Sequence, residues 1–279
     1  GERVHADHVF PKDVKTSEGE ENTTALVLKD DATEFRGFYP QNTKGAEKSA
    51  ASIRHFVGPK NKLVSIRSDN SKELIKAAKI LRSHHEQTTP YRSESNARIE
   101  RDIGVEVNGI RCNLEQSGLP LSFWPHAGQH FSHYPNCLTP CREGKSIGDL
   151  PPAAITPWRK RFKEDWSGPT HPFGCLVRYR PYNANETLPR FAPRTIEGIF
   201  LGVFLQPGHV YSGDVLVVSL GAFQTSSNSE FSSDRIQICR IKEAEVRFPL
   251  EGEIYNFPIA EARKSSSIAK IREAFECSI

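Results

Sequence analysis

The sequence predicts an α/β protein in which a mixed five-stranded sheet with flanking helices precedes a small β domain. Segments with strand and helix periodicity alternate up to residue 135, and short strands separated by turns follow Phe173. The stretch between them is rich in Pro and has no sustained period, which is typical of a linker. We therefore divide the 279 residues into a core 1–135, a linker 136–172, a β domain 173–250 and a tail 251–279.

The first three segments have the patterns of neighbouring antiparallel strands. Residues 3–10 combine apolar residues with an Asp, and residues 23–30 (TTALVLKD) form an apolar run typical of a buried strand. Residues 34–40 alternate and end at Pro40, so they favour the next strand of an antiparallel meander.

Helices and strands alternate after this meander. The pattern predicts helix 44–58, strand 62–69, helix 71–83 and strand 85–91. Gly58 gives the first helix a glycine stop, Ser71 is the expected N-cap of the second, and Pro90 stops the last strand.

Two further helices are predicted before the linker. The longer one runs from about Ser95 to Ser117 and is closed by Gly118, and the shorter one covers 121–134 and ends before Pro135. The resulting order of three strands, helix, strand, helix, strand and helices is that of the ribonuclease H-like α/β fold.

The region after Phe173 has short strand patterns, such as TIEGIFLGVF and GDVLVVSL, which favour a small β-barrel or sheet of about 75 residues. A polar loop is predicted at 224–234 within it. The segment 259–276 is either a helix or a frayed end.

Composition narrows the class of protein. Hydrophobic residues make up 37% and charged residues 25%, which is ordinary for a soluble globular protein. No apolar run approaches the ~18 residues of a membrane helix, and no signal-peptide pattern is present, so no membrane partner is expected. Six irregularly spaced Cys favour reduced thiols in an intracellular protein. A chain that starts at Gly1 and contains no Met is expected to be a piece of a longer polypeptide.

Three carboxylates stand out by their positions. Asp7 lies inside an apolar strand, where a charge is costly unless it is paired or binds a cation. Asp69 follows a strand tip, and Glu100 lies early in the long helix. Brought together, such groups repel one another and need divalent metal, and Mg²⁺ prefers oxygen ligands. The alternative is surface charge, with Asp69 capping the helix that begins near Ser71.

Several stretches resemble the integrase core of Ty1/copia-type LTR retrotransposons. They are HADHVF, LVLKDDATEFRGFYPQNTKGAEKSAASIRHF, IRSDNSKEL and TPYRSESNARIERDIGVEVNGIRCNLEQSGLPLSFWPHA. Downstream, HPFGCLVRYR and RFAPRTIEGIFLGV resemble the segment that follows the core in this family. The resemblance spans about residues 1–250, in order.

The resemblance implies an enzyme of the retroviral integrase superfamily. Asp7, Asp69 and Glu100 match the catalytic carboxylates that bind two Mg²⁺ or Mn²⁺ ions in this family. With these ions the enzymes trim the 3′ end of element DNA and join it to target DNA. Residues 173–250 match an SH3-like domain. The implied partners are DNA and further copies of the chain. The implied location is the nucleus, after passage through cytoplasmic virus-like particles.

Departures from the family pattern keep two alternatives open. Fewer residues separate Asp69 from Glu100 than is usual, Ser71 and Lys72 replace two glycines, and Gly104 replaces a basic residue. A decayed or domesticated integrase that only binds DNA or protein is the first alternative. A ribonuclease H-type nuclease is the second, although that family normally brings a fourth carboxylate and 120–135 contains none.

Basic residues near the long helix and in the linker are the expected DNA contacts, because Lys and Arg neutralise phosphates. The candidates are Arg92, Asn96, Arg98, Arg101, Arg111, Arg159, Lys160 and Arg161. Trp158 either stacks on DNA or packs in the protein, and WRKRFK is also a weak nuclear-import pattern. The net charge of +3 permits nucleic-acid binding without arguing for it.

A line of His and Cys residues is the other chemical feature. His126, His130, His133, Cys137 and Cys141 have near-helical spacing, and Zn²⁺ favours such ligands in tetrahedral sets. Because Pro135 is expected to break the helix, zinc is not expected here. The simpler interpretation is exposed His side chains and a buried Cys137.

Overall fold

The computed structural model describes residues 2–11, 22–87, 93–141, 155–181, 191, 194–224, 236–250 and 252–265. Its first sheet has the order β3-β2-β1-β4-β5. The strands are β1 (Arg3–Val9), β2 (Thr24–Asp30), β3 (Arg36–Gln41), β4 (Ser65–Ser68) and β5 (His84–Gln87). β1, β2 and β3 pair antiparallel, and β4 and β5 continue the sheet parallel to β1. This mixed sheet with flanking helices confirms the predicted ribonuclease H-like α/β core.

Both faces of this sheet are covered. The helices are α1 (Ala46–Val57), α2 (Lys72–Leu81), α3 (Ser93–Ser117) and α4 (Trp124–Leu138), with a 3₁₀ turn at Leu121–Phe123. Leu26 and Leu28 of β2 pack in the cluster that contains α1 and α2 residues, whereas Ala25 and Val27 pack in the cluster with α3 and α4 residues. Two covered faces explain the uninterrupted apolar run of β2.

The long helix α3 is continuous through both of its glycines, as predicted. A Cβ on Gly109 would lie 2.2 Å from the ring of Phe131 on α4. The glycine therefore allows α3 and α4 to approach closely, which offsets its poor helix propensity.

Pro135 does not end α4, contrary to the expectation from sequence, because the helix continues to Leu138. The last turn is held by tertiary contacts. The Asn136 side chain accepts from Arg36 N (2.9 Å) and donates to Arg36 O (2.9 Å), and Cys137 is buried beside it. These bonds to a distant strand compensate for the backbone hydrogen bond that proline removes.

The predicted linker contains a packed helix, α5 (Pro157–Phe162). Thr156 caps it by accepting from Arg159 N (3.2 Å). Trp158 is buried in the α1–α2 cluster, so packing is the alternative that the structure supports for this residue. Residues 142–154 lie outside the described residues.

A second five-stranded sheet follows, with the order β10-β6-β7-β8-β9 and antiparallel pairs throughout. Its strands are β6 (Leu176–Tyr179), β7 (Ile196–Gln206), β8 (Val210–Ser219), β9 (Ile238–Lys242) and β10 (Val246–Arg247). A short helix α6 (Gly221–Gln224) follows β8, and a 3₁₀ turn (Glu243–Glu245) precedes β10. The region is β-rich as predicted, and its assignment as SH3-like stays a prediction.

The two sheets are joined by direct contacts. Ile199 and Leu201 of β7 pack in the same cluster as Trp124 and Ala127 of α4. The turn between β7 and β8 meets the end of α1, where Gly208 N donates to His55 O (2.6 Å).

Two further features hold that junction. Gly58, at φ +77°, ends α1, and a Cβ there would lie 2.5 Å from the Cα of Gly208. The Tyr39 hydroxyl is within hydrogen-bond distance of His55 Nδ1 (3.1 Å) and His209 Nε2 (3.0 Å). The glycine stop of α1 is therefore also a point of contact between the sheets.

The remaining sequence predictions concern the strand 85–91, the polar loop 224–234 and the segment 259–276, which the structure describes only in part. Residues 258–265 form a helix, α7, and residues 88–92, 225–235 and 266–279 lie outside the described residues. Among the described residues, no disulfide is formed by Cys112, Cys137, Cys141, Cys175 or Cys239. In the part of the chain that the structure describes, no helix has the length and apolar character to cross a membrane.

Candidate active site

Asp7 lies on β1, opposite Val27 of β2. Its neighbour Ala6 packs towards α1 and α2, whereas Val9 packs in the cluster of α3 and α4. Because side chains alternate along a strand, Asp7 faces the side that α3 covers. Its Oδ1 accepts a hydrogen bond from His8 N (2.7 Å).

The carboxyl of Asp7 has an unusual electrostatic environment. Burial raises its pKa to about 6, although the hydrogen bond from His8 opposes the rise. The charges of Asp69 and Glu100 raise this pKa as well, and Lys44 lowers it. The structure therefore brings the three predicted carboxylates within electrostatic reach of one another.

Asp69 occupies the tip of β4, the parallel neighbour of β1. Its Oδ1 accepts from Ser71 N (3.1 Å) at the start of α2. Ser71 is the residue before the helix, as predicted, but its own hydroxyl makes no capping bond. Asp69 thus supports the start of α2 with one carboxylate oxygen, and this bond holds its side chain at the strand tip.

Glu100 is exposed on α3. Two acidic residues further along this helix, Asp102 and Glu106, anchor it to the sheet. Asp102 binds Lys29 Nζ (2.7 Å) on β2 and Arg36 Nη2 (3.1 Å) on β3. Glu106 Oε1 lies 3.8 Å from Arg36 Nη1. These ion pairs fix α3 on the sheet and so determine where Glu100 stands relative to Asp7.

The sequence interpretation missed this anchor. Its only trace is the four-residue spacing of Asp102 and Glu106, which places both on one helix face. Glu106 is fully buried, and burial raises the pKa of its carboxyl to about 7, although Arg36 acts in the opposite direction.

Lys44 lies within electrostatic reach of Asp7, and the sequence interpretation missed it. Lys44 Nζ lies 3.5 Å from Glu73 Oε1 and 5.4 Å from the centroid of the Phe10 ring, which is 53% exposed. His8 is buried and lies 3.3 Å from Ser49 Oγ, and burial together with Lys44 lowers its pKa to about 4. The contacts with Glu73 and Phe10 hold the ammonium group of Lys44 near the three carboxylates, where its positive charge lowers the pKa of Asp7.

The donor chemistry suits a hard divalent cation, because the residues that raise the pKa of Asp7 contribute only carboxylate oxygens. Among the described residues, however, no three His, Cys, Asp or Glu side chains are close enough together to hold a metal ion. The three carboxylates interact through their charges but do not form a closed ligand set.

The predicted DNA contacts fall into different environments. Arg101, Arg111 and Arg159 are exposed, and Lys160 is half-buried. Arg111 Nη1 donates to Asn108 Oδ1 (3.1 Å), and Arg159 pairs with Asp165 (3.2 Å). Arg92 and the side chains of Asn96 and Arg98 lie outside what the structure describes.

Arg161 departs from the prediction. Its guanidinium lies 4.5 Å from the centroid of Phe35 and 4.8 Å from that of Phe56, and it donates to Phe56 O. The side chain is therefore engaged inside the protein, where aromatic faces and a carbonyl take the place of a phosphate.

The three His residues of the possible zinc line are buried, so the expectation of exposed side chains is wrong. Burial lowers the pKa of His130 to about 4 and that of His133 to about 3. His133 Nε2 lies 3.4 Å from Cys137 Sγ, and Cys137 is buried as expected. His130 and His133 therefore pack in α4 as neutral groups.

No protein-family model and no curated protein matches the sequence. The solved structures that are similar to this chain include the following three. A chain of the simian T-cell lymphotropic virus intasome in complex with PP2A regulatory subunit B56 gamma shares 14% identity at a TM-score of 0.43, over 90% of this chain and 79% of that one.

The other two are integrase catalytic core domains. That of HTLV-2, in complex with magnesium in a trimeric form, shares 16% identity at a TM-score of 0.40, over 56% of this chain and 93% of that one. That of BIV shares 14% identity at a TM-score of 0.40, over 58% of this chain and 94% of that one. At these identities the similarities concern the fold and assign no role to any side chain.

Proposed function

We propose that the chain is a metal-dependent polynucleotidyl transferase of the integrase type, which processes DNA 3′ ends and transfers them to target DNA. One observation carries the proposal. The three carboxylates marked by the sequence motifs, Asp7, Asp69 and Glu100, lie on adjacent elements, and the charges of the latter two raise the pKa of Asp7.

Each carboxylate has a distinct part in this proposal. Asp7 and Asp69 would hold a divalent cation from two neighbouring strands, and Glu100 would complete the ligand set from α3. A cation bound there would polarise the phosphate and favour ionisation of the attacking water or hydroxyl. The carboxylates must then draw closer together than they lie without a cation, since the described residues show no closed ligand set.

The proposed DNA grip uses the exposed or half-buried cations Arg101, Arg111, Arg159 and Lys160. Arg92, Asn96 and Arg98 remain predictions from sequence, and Arg161 is left out because of its interior contacts. Association of several copies and a nuclear location belong to the same proposal, because both are implied by the resemblance to Ty1/copia-type integrases.

A decayed integrase that binds DNA or protein without catalysis is the second candidate. The absence of a closed set of three metal-binding side chains among the described residues favours it. The two candidates differ in one property, which is whether a divalent cation binds the carboxylates.

The test is a calorimetric titration of Mn²⁺ into the chain and into Asp69→Asn, with both proteins also assayed for strand transfer on a labelled blunt DNA duplex. We expect the wild type to bind Mn²⁺ and transfer strands, and the variant to lose both. A folded wild type without metal-dependent heat or strand transfer would support the second candidate. Cleavage of RNA–DNA hybrid in preference to DNA ends would indicate a ribonuclease H-type nuclease instead.

A further inference from the structure

A groove lies at the ends of α1 and α2 that are remote from the carboxylates. It has a volume of about 900 Å³ and is lined by the end of α1, the loop 58–63, the end of α2 and Pro207 of the β7–β8 turn. Asp69 bonds at the start of α2, and Lys44 precedes the start of α1. The 12 residues of α1 span about 18 Å, so the end of α1 that lines the groove lies most of a helix length from the end near the carboxylates.

The floor of the groove is aliphatic. Ile53 and Val57 belong to the buried core, and Leu63 and Leu81 pack on that core while remaining partly accessible. The end of the groove is closed by Pro207, whose turn is held against α1 by the bond from Gly208 N to His55 O. The lining of the groove therefore comes from the helices that cover the first sheet and from a turn of the second sheet.

The rim is positively charged and lacks described counter-ions. Arg54, Lys62 and Arg82 are exposed lining residues, and none of the described lining residues is Asp or Glu. Within the described residues, none of these three cations forms an ion pair with an acidic side chain. Other surface cations do, for example Arg159 with Asp165 and Arg178 with Glu197.

We propose that this groove binds an acidic amphipathic peptide segment of a partner protein. Leu- or Ile-sized side chains of the segment would cover Leu63 and Leu81, and its Asp or Glu residues would pair with the rim cations. A short amphipathic helix in a groove is a common form of peptide recognition, with anchors spaced three or four residues apart.

A peptide suits this surface better than a nucleic acid. The floor presents aliphatic side chains, whereas sequence-tolerant binding of single strands uses aromatic rings on which bases stack. Phosphate contacts need cations but gain nothing from an apolar floor. Opposite charge at the rim and apolar area at the centre are the arrangement expected for protein partners.

The probe is a fluorescein-labelled 16-residue helical peptide with Leu at alternating three- and four-residue spacings and Glu on both flanks. Binding is measured by fluorescence polarisation with the full chain. We expect a Kd on the order of 10–100 µM, and a loss of at least about tenfold in the variant Arg54→Glu, Lys62→Glu, Arg82→Glu. The matched control Arg180→Glu, Arg194→Glu, Arg247→Glu changes three exposed arginines of the second β-rich region that do not line the groove. It has the same net charge and should change binding by less than about twofold.

Two control peptides sharpen the test. One has the same composition with its Leu residues scattered around the helix, and the other has Lys in place of Glu. Both should bind at least about tenfold more weakly, because each lacks one of the two complementary features. An Asp69→Asn chain should bind the acidic peptide like the wild type, so the result does not depend on the proposed catalysis.

Three outcomes would overturn the proposal. The first is no binding of the acidic amphipathic peptide by the folded wild type. The second is an equal loss in the groove variant and in the control variant, which would indicate non-specific charge attraction. The third is DNA duplex that binds more tightly, displaces the peptide and depends on the same three cations, which would assign the groove to nucleic acid.

Discussion

Two groups of carboxylates lie close together in this molecule and differ in their counter-charges. Asp102 and Glu106 face Lys29 and Arg36, so each has a cation within 4 Å. The group around Asp7 instead contains further carboxylates, Asp69 and Glu100, which raise the pKa of Asp7. The comparison separates two uses of a carboxylate. Asp102 and Glu106 hold α3 on the sheet, whereas under the proposed function the group around Asp7 would bind a divalent cation.

The largest effect is expected from Glu100→Gln, which tests the group around Asp7. Strand transfer should fall by roughly 100- to 1000-fold, as for other losses of charge stabilisation in an active site. The free energy of unfolding should stay the same or rise slightly, because the substitution removes a charge that repels Asp7. Strand-transfer rates and urea denaturation measure the two quantities.

The matched control is Glu115→Gln, an exposed acid on the same helix outside both groups. It should leave both quantities unchanged. Should Glu100→Gln lower stability while strand transfer persists, Glu100 would belong with the structural acids and the comparison would fail.

Asp102→Ala tests the paired group and should act in the opposite way. It leaves Lys29, which is 7% exposed, without its partner, and breaking a buried pair from one side costs roughly 3–5 kcal/mol. The free energy of unfolding from urea denaturation should fall by about this amount.

The double variant Lys29→Met, Asp102→Leu removes both charges, and it should recover most of the loss because no uncompensated ion remains buried. If the double variant is no more stable than Asp102→Ala, the loss in Asp102→Ala cannot come mainly from leaving Lys29 buried without a counter-ion. The pair itself would then contribute to stability.

Glu106→Gln gives a smaller effect with a defined pH dependence. The folded-state pKa of Glu106, about 7, exceeds its ordinary value near 4.5, so the folded chain binds the proton more tightly than the unfolded chain. Stability from this group is present below pH 4.5 and is lost as pH rises to about 7. The variant should therefore be more stable than the wild type above pH 7, by about 3 kcal/mol, and nearly equal to it at pH 4.5.

Thermal unfolding across this pH range measures the difference. An equal stability difference at pH 4.5 and pH 8 would mean that Glu106 does not titrate between them, and that Arg36 neutralises it fully.

The contrast between the two groups could be predicted from sequence only in part. Asp7 and Asp69 stand out because a charge in an apolar strand and at a strand tip is a local anomaly, whereas Glu100 joins them through its position early in the long helix and the resemblance to Ty1/copia-type integrases. The anchor that Asp102 and Glu106 form could not be predicted from the sequence. The cations that they bind lie on β2 and β3, more than 60 residues earlier in the chain.

The same distinction between local and distant causes applies to the fold. The apolar run of β2 predicted its burial without further information. The end of α4 depends on two hydrogen bonds between Asn136 and Arg36, which lie 100 residues apart, so Pro135 gave the wrong boundary. The second sheet was predicted from strand pattern, but its contact with α1 through Gly208 follows only from the tertiary structure.

The smallest effect comes from the basic run of α5, where the sequence could not separate Arg159 from Arg161. Arg159 is exposed and pairs with Asp165, and such pairs contribute about 0.5 kcal/mol or less, so Arg159→Ala should hardly change stability. Arg161 packs on Phe35 and Phe56, so Arg161→Ala should lower the free energy of unfolding by about 1–2 kcal/mol.

DNA binding should show the reverse order. If Arg159 contacts a phosphate, Arg159→Ala reduces the slope of log affinity against log salt by about 0.9, whereas Arg161→Ala leaves that slope unchanged. Fluorescence anisotropy of a DNA duplex over a series of salt concentrations gives both slopes. Equal slopes for Arg159→Ala and the wild type would remove Arg159 from the proposed DNA grip, and a reduced slope for Arg161→Ala would mean that its side chain leaves the aromatic site to reach DNA.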